Sequence, residues 1–321
     1  MYARIVGTGA YLPEKVLTNA DLEKMVDTSD QWIRERTGIR ERRIAANDQT
    51  TGDLAEQAGR IALEESGVAP GEIDLLVVGT TTPDLVFPST ACLIQQRLGL
   101  GECAAFDVNA ACSSYIYALS VATQYIQAGG AKKVLVIGAE TISRMLDWSD
   151  RTTCVLFGDG AGATVLVADE NPGVLSTHIH ANGGYGDLLH VGVGVSRGFK
   201  AEPNGGVAVQ MKGNEVFKVA VNMLGRIADE TLARNNMDKH ELDWLIPHQA
   251  NLRIIKATAR KLDMPMDRVI VTIDRHGNTS SASVPLALDE AIRSGRVKRG
   301  DHMLLEAFGG GFTWGAALVR Y

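Results

Sequence analysis

Apolar runs of strand length recur along the chain, at "RIVGTGAYLP" near its start and then at "IDLLVVGTT" (73–81), "KVLVIGA" (133–139), "ATVLVA" (163–168), "DWLIP" (243–247), "RVIVTI" (268–273), "HMLLEAF" (302–308) and "AALVRY" (316–321). Between them, apolar residues at helical spacing over 52–66, 112–128, 214–234, 251–262 and 284–294 predict helices. Strands alternating with helices predict an α/β fold, with parallel sheets covered by helices on both faces.

The pattern also repeats. "FGDGAGATVLV" (157–167) and "FGGGFTWGAALV" (308–319) each join Phe-Gly-x-Gly to a strand of small residues, and "EIDLLVVGT" (72–80) is placed like "ELDWLIPHQ" (241–249). Gly129 follows Cys112 by 17 residues, and Gly295 follows Asn278 by the same 17. These matches predict a duplicated α/β unit with halves 1–172 and 173–321, divided near the polar turn "DENPG" (169–173). They place Cys112 and Asn278 at equivalent helix starts.

Bulk properties narrow the class. A length of 321 residues allows two ordinary domains or one composite one, and 45% hydrophobic with 22% charged residues is a globular balance. A formal charge of −6 speaks against a general nucleic-acid binder. With no secretory pattern and no apolar run near the roughly 20 residues that span a bilayer, a cytoplasmic protein away from membranes is expected. The four cysteines lack metal-ligand or Cys-x-x-Cys spacing, so reduced thiols and no metal are expected.

In "DVNAACSSYIYAL" Cys112 stands where a buried strand gives way to a helix. A lone cysteine is usually a small buried apolar residue. At a helix start, however, the dipole lowers a thiol pKa and favours the thiolate, which makes Cys112 a candidate nucleophile. Cys92, Cys103 and Cys154 read as packing residues. His248, in "WLIPHQAN", follows an apolar strand at the end where α/β sheets bind ligands; the alternative is a hydrogen-bonded structural histidine. Asn278, in "DRHGNTSSASVP", could be a helix cap, and its equivalence to Cys112 raises it to a site candidate. His276 reads as a loop support. "GTGAYLP" and "FGGGFTWG" complete neither a dinucleotide fingerprint nor a phosphate loop, although the bare backbone of "FGGGF" can offer an N–H to a reacting group. Arg253, Lys256 and Arg260 form a cationic stripe on one helix, either a solvated face or a landing place for an acidic partner.

Together Cys112, "PHQAN" (247–251), "HGNTSSAS" (276–283) and "EAFGGGFTWG" (306–315) resemble the β-ketoacyl-[acyl carrier protein] synthase III family of thiolase-like condensing enzymes, and the likeness runs from "GTGAYLPE" to "ALVRY". The resemblance implies a five-layered αβαβα fold and a homodimer. It implies a triad of Cys112, His248 and Asn278, with the backbone N–H groups of Cys112 and Gly310 as oxyanion donors. It implies that Thr28, Trp32, Arg36, Arg151, Gly213, Asn214, Phe217, Ala250 and Asn251 line a coenzyme A channel. Phe87, Ile142, Leu156, Phe157, Leu189 and Phe308 would shape an acyl pocket, and Lys218 with the Arg253 stripe would receive acyl carrier protein. Acyl-CoA and malonyl-acyl carrier protein are the implied substrates, with no further cofactor. Members usually follow the cysteine with a small residue, glycine and phenylalanine; here Ser113-Ser114-Tyr115 stand there, and their bulk is expected to bear on acyl preference. A biosynthetic thiolase would need a second cysteine late in the chain, and all four here precede residue 155. Two other readings stay open: a related decarboxylating synthase with a non-fatty-acid product, and a silent acyl-CoA-binding module.

Overall fold

The computed structural model describes residues 1–198 and 207–321. Two mixed sheets face each other across a pair of buried helices. The first has the strand order Tyr2–Tyr11, Gly160–Asp169, Lys133–Glu140, Leu75–Gly79, Ala104–Val108; the second runs Trp244–Pro247, His302–Gly309, Thr313–Arg320, Val174–Ala181.

Side-chain alternation along the strands explains the layering. Leu75, Val77, Val134, Val136 and Leu166 of the first sheet, and Ile246, Met303, Leu305 and Ala317 of the second, close on a central pair of helices, Ser114–Gln127 and Ser283–Arg293. The intervening residues Leu76, Val78, Leu135 and Ile137 point outward under the helices Thr51–Ser66 and Thr90–Leu98. Leu245, Leu304 and Leu318 likewise point outward, under Gly213–Arg234 and Leu252–Lys261. Successive strand residues face opposite sides, so strands buried on both faces read as continuous apolar runs. The result is an αβαβα stack, the layering that the sequence resemblance implies.

Two expectations change. The sheets are not wholly parallel: Leu75–Gly79 runs parallel to both its neighbours, but Gly160–Asp169 is antiparallel to both of its own. The second sheet is parallel only between Trp244–Pro247 and His302–Gly309. The last two strands of the second half, His302–Gly309 and Thr313–Arg320, form a tight hairpin, which is antiparallel by necessity, whereas Lys133–Glu140 and Gly160–Asp169 are joined through the long 141–159 segment. The "RVIVTI" run is no strand. It makes a single bridge from Val269 to Leu245, and the chain then coils into the short helix Ile273–His276.

A small two-stranded antiparallel sheet, Lys15–Thr18 with Glu41–Ile44, is pinned by the fully buried Arg42. Its guanidinium donates to the carbonyls of Leu17 at 3.1 Å and Val155 at 2.7 Å, and to Asn19 Oδ1 at 2.9 Å. Burial pulls its pKa down to about 10, so the arginine stays charged at neutral pH. It clamps the N-terminal excursion to the segment that carries Leu156 and Phe157.

Candidate active site

Cys112 sits in a single 3-10 turn, Ala111–Ser113, that opens the Ser114–Gln127 helix. Ala111 holds φ at +49°, a left-handed conformation costly for a residue with a Cβ. Ser114 supports that turn: its Oγ accepts the Ala110 N–H at 2.8 Å and donates to the Ala111 carbonyl at 2.6 Å. The other C-terminal central helix opens in the same way. A 3-10 turn, Ser280–Ala282, precedes Ser283, and Ser280 holds φ at +50°. Aligned at their starts, the two helices therefore pair Ala111 with Ser280 and Cys112 with Ser281. The expected equivalence of Cys112 and Asn278 is displaced by three residues, because the first helix has 14 residues and the second 11. Counting back from the terminal glycines absorbed that difference.

Asn278 instead lies in the loop before the turn. Its backbone bridges to the 156–158 segment, with its N–H on the Leu156 carbonyl at 2.8 Å and its carbonyl accepting the Gly158 N–H at 3.0 Å. Its Oδ1 accepts the Ser280 N–H at 2.9 Å, which leaves the Nδ2 hydrogens as the free donors of that amide. His248 leaves the Trp244–Pro247 strand with its backbone N–H on the Glu306 carbonyl at 2.8 Å. Its ring is fully enclosed, and burial holds its pKa down near 3, so the imidazole is neutral at pH 7. His276 is also buried and pulled down to about 4.

Burial pushes the Cys112 thiol up to about 12, a Ser280 hydrogen bond opposing this and the nearby Glu140 charge adding to it. Removal from water thus opposes the lowering expected from the helix start, where the dipole is worth at most about 2 kcal/mol. Cys154 is buried as expected, but Cys92 is exposed on the outer helix, which corrects its reading as a packing residue.

A cavity of about 660 Å³ opens onto Cys112, with Ala111, Ser280, Gly310 and Thr81 beside it and Ile142, Phe157, Leu189 and Val209 among its apolar walls. Three of the six expected acyl-pocket residues thus line it. Phe87 does not: it projects 83% exposed from the same loop as Val86, which does. Leu156 packs beside Phe157 in an apolar cluster, and Phe308 packs against Phe312 with the rings tilted and their centroids 4.6 Å apart. His248 and Asn278 are buried and are not among the residues that line it.

The serines and tyrosine after Cys112 also stay out of the cavity. Ser113 donates to the Thr313 carbonyl at 3.1 Å, and Tyr115, fully buried, shares a 3.0 Å hydrogen bond with Thr164 in the core. None of the three is among the residues that line the cavity.

None of the residues expected along a coenzyme A channel is among those that line the cavity. Trp32 carries the guanidinium of Arg36 at 4.9 Å and that of Arg151 at 5.3 Å from its ring centre. The Thr28 hydroxyl is buried without a partner among the described residues. Asn251 caps its helix by accepting the Arg253 N–H at 2.8 Å and reaches the Arg36 carbonyl at 3.0 Å, joining Ala250 and its helix to the Trp32 helix. Gly213 and Asn214 are exposed at the start of their helix, and Phe217 lies under Arg253 at 5.2 Å. Lys218, Arg253, Lys256 and Arg260 are exposed and, among the described residues, join no ion pair. No group of three or more His, Cys, Asp or Glu among the described residues could hold a metal ion, and none of their helices is long and apolar enough to cross a membrane.

The sequence reading missed one layer of the site. Glu140, Thr81, Thr82 and Ser280 form a hydrogen-bonded polar cluster in which Glu140 and Ser280 are buried, with Thr81 and Ser280 on the cavity wall near Cys112. "GAET" and "GTTT" each end a core strand in polar residues, and that was the available signal.

Residues 106–183 match the family model described as 3-Oxoacyl-[acyl-carrier-protein (ACP)] synthase III, and residues 232–321 match its C-terminal counterpart. The chain is 69% identical over 321 residues to a Beta-ketoacyl-[acyl-carrier-protein] synthase III of Xanthomonas campestris pv. campestris, covering all of this chain and 99% of the relative. Among solved structures, 3-oxoacyl-[acyl-carrier-protein] synthase III from Aquifex aeolicus matches with a TM-score of 0.94 and 51% identity, over 99% of this chain and 100% of that one. The priming beta-ketosynthase of the R1128 polyketide pathway matches with the same TM-score of 0.94 at 38% identity, over 99% of this chain and 96% of that one.

Proposed function

Because the chain belongs to the 3-oxoacyl-[acyl-carrier-protein] synthase III family, we propose that it joins an acyl-CoA primer, acetyl-CoA foremost, to malonyl-acyl carrier protein. The products are β-ketoacyl-acyl carrier protein, CO2 and free CoA, and the reaction starts fatty acid synthesis. The observation that carries this reading is Cys112 in the wall of a largely apolar cavity, with Gly310 beside it.

Cys112 Sγ attacks the primer thioester, and the backbone N–H groups of Cys112 and Gly310 receive the developing oxyanion. Collapse breaks the carbon–sulfur bond to CoA and leaves the acyl group on Cys112. Malonyl-acyl carrier protein then loses CO2, and its thioester oxygen becomes an enolate. His248, neutral through burial, and the free Nδ2 of Asn278 donate to that oxygen. The enolate carbon attacks the acyl-Cys112 carbonyl, and the cysteine is released. No resident cofactor or metal takes part.

Stacking of Trp32 with Arg36 and Arg151 supports a place for the adenine of CoA, with Thr28, Gly213, Asn214, Phe217, Ala250 and Asn251 along its path. The unpaired cations Lys218, Arg253, Lys256 and Arg260 suit an acidic carrier protein on a cytoplasmic enzyme that stays off membranes. The exposed run Leu85, Val86 and Phe87 supports a homodimer. The halves 1–172 and 173–321 each own one sheet, since the first sheet's last strand ends at Asp169 and the second's first begins at Val174.

Acetyl-CoA and malonyl-acyl carrier protein supplied together test the reading. CoA, CO2 and acetoacetyl-acyl carrier protein are expected in equal amounts. CoA release without CO2, or a silent mixture, overturns it.

A further inference from the structure

The two donors assigned to the enolate come from different segments, and both must reach one oxygen. His248 follows a strand of the second sheet, and Asn278 follows the short helix Ile273–His276. A histidine is usually aimed by a partner on its second ring nitrogen. His248 Nδ1 has no partner among the described residues, so the aim of the ring depends on its main chain. The next residue holds that main chain. Gln249 is 1% exposed, and its backbone N–H, in the peptide it shares with His248, donates to Ser283 Oγ at 2.6 Å.

The Gln249 side chain reaches the segment of the other donor. Its Nε2 donates to the Pro247 carbonyl, just before His248, at 2.7 Å and to the Ile270 carbonyl at 3.0 Å. Its Oε1 accepts the N–H of Thr272 at 2.9 Å and that of Ile273 at 3.1 Å. The Ile273–His276 helix begins there without a cap of its own, because the Thr272 hydroxyl makes no capping bond. Asn278 follows two residues beyond the end of that helix. A primary amide has two N–H hydrogens and two carbonyl lone pairs, and all four are engaged. Two carbonyls on one side and two N–H groups on the other allow only this orientation of the amide. Gln249 therefore has nothing left to offer a substrate. Its bonds tie the main chain on both sides of His248 to the start of the helix that delivers Asn278.

We propose that Gln249 is the positioning residue of the decarboxylation step, fixing His248 relative to Asn278 so that both side chains meet on the enolate oxygen. This rests on the acyl-transfer reading above, in which those two side chains are the enolate donors. Displacing a group at a reacting centre by about 1 Å costs about 10²-fold in rate, so a rigid link between two donors has a direct kinetic value. The link does not extend to the nucleophile. Every hydrogen bond of the Gln249 amide and N–H stays within residues 247–283, in the half that does not carry Cys112. Gln249 thus serves the second half-reaction and leaves the first alone.

Kinetics of the two half-reactions, measured separately on the whole enzyme, test this. Gln249→Met keeps the length of the side chain and removes the amide. It should acetylate Cys112 from acetyl-CoA at the wild-type rate and release CO2 from malonyl-acyl carrier protein about 10²-fold more slowly. Its KM for malonyl-acyl carrier protein should not change. Ser283→Ala removes only the acceptor of the Gln249 N–H and should show the same split to a smaller extent. In a His248→Ala/Asn278→Ala background neither change should slow CO2 release further, because the donors that Gln249 aligns are gone. A general loosening of the fold would lower loading and CO2 release together, or add to the loss in that background, and either result overturns the proposal. CO2 release at the wild-type rate in Gln249→Met also overturns it. Should Gln249→Met fail to fold, Ser283→Ala decides by the same comparisons, and CO2 release at the wild-type rate there counts against the link. Wild-type enzyme that takes no acetyl group at Cys112, or that releases no CO2, overturns the acyl-transfer reading itself.

Discussion

Gly309 packs its bare Cα against the backbone of Cys112 so closely that a Cβ there would lie 2.6 Å from the Cys112 nitrogen and 3.1 Å from the Ala110 carbonyl. The end of one sheet thereby sets the position of the N–H assigned to the oxyanion. Gly309→Ala must push the nucleophile turn away. Loading from acetyl-CoA is expected to fall by about 10² or more, as for loss of an oxyanion donor, while the cooperative melt persists. Stopped-flow release of CoA measures it. A rate near that of the wild type would show that the turn gives way without consequence.

Glu306 is buried with neither carboxyl oxygen hydrogen-bonded among the described residues, and burial pushes its pKa to about 8. The folded state therefore holds a proton that the unfolded chain gives up above its ordinary value near 4.5. Stability from this group falls as pH rises from about 4.5 to 8 and is flat beyond. Glu306→Gln has no such titration. Its stability relative to wild type should climb between pH 5 and 8, by about 3 to 5 kcal/mol at full burial, in denaturant melts across that range. A constant difference would contradict the assignment.

The cationic stripe gives a salt-dependent expectation. Arg253 covers the Phe217 ring, so reversing it would disturb both substrate paths; Lys256, one turn on, is the cleaner probe. Lys256→Glu should raise KM for malonyl-acyl carrier protein several-fold and leave that for acetyl-CoA unchanged, and added salt should shrink the difference. Equal effects on both substrates would remove the stripe from carrier-protein docking.

His248 and Asn278 are assigned to the enolate, so they act after loading. His248→Ala and Asn278→Ala should still acetylate Cys112, whereas release of CO2 from labelled malonyl-acyl carrier protein should fall by about 10² or more in each. The double variant should be little worse than the poorer single one, since both donors serve one oxygen. Complete loss of loading in His248→Ala with decarboxylation intact would make His248 a base for Cys112.

Much of this was legible in the sequence, and the exceptions have physical causes. Core strands such as Leu75–Gly79 and Lys133–Glu140, buried on both faces, announce themselves as unbroken apolar runs. "RVIVTI" has the same composition, yet only Val269 finds a strand partner, because sheet pairing is a tertiary decision that residue type does not fix. The positions of Cys112, His248 and Asn278 were readable from chain order and motif. Their equivalence was not, because a three-residue difference in helix length is invisible until both helix starts are seen. The thiol's raised pKa was also out of reach, since it depends on how far the fold withdraws Cys112 from water. Phe87 illustrates the limit of a single chain: its apolar side chain points away from the cavity that its neighbour Val86 lines.

The central claim is that Cys112 carries the acyl group between two half-reactions. Intact-mass and peptide mapping after brief exposure to acetyl-CoA test it most directly, because exposed Cys92 would dominate any general thiol reagent. One acetyl group is expected on the Cys112 peptide, absent in Cys112→Ser and discharged on addition of malonyl-acyl carrier protein. An acetyl group on Cys92, Cys103 or Cys154, or one on Cys112 that malonyl-acyl carrier protein does not remove, would contradict it.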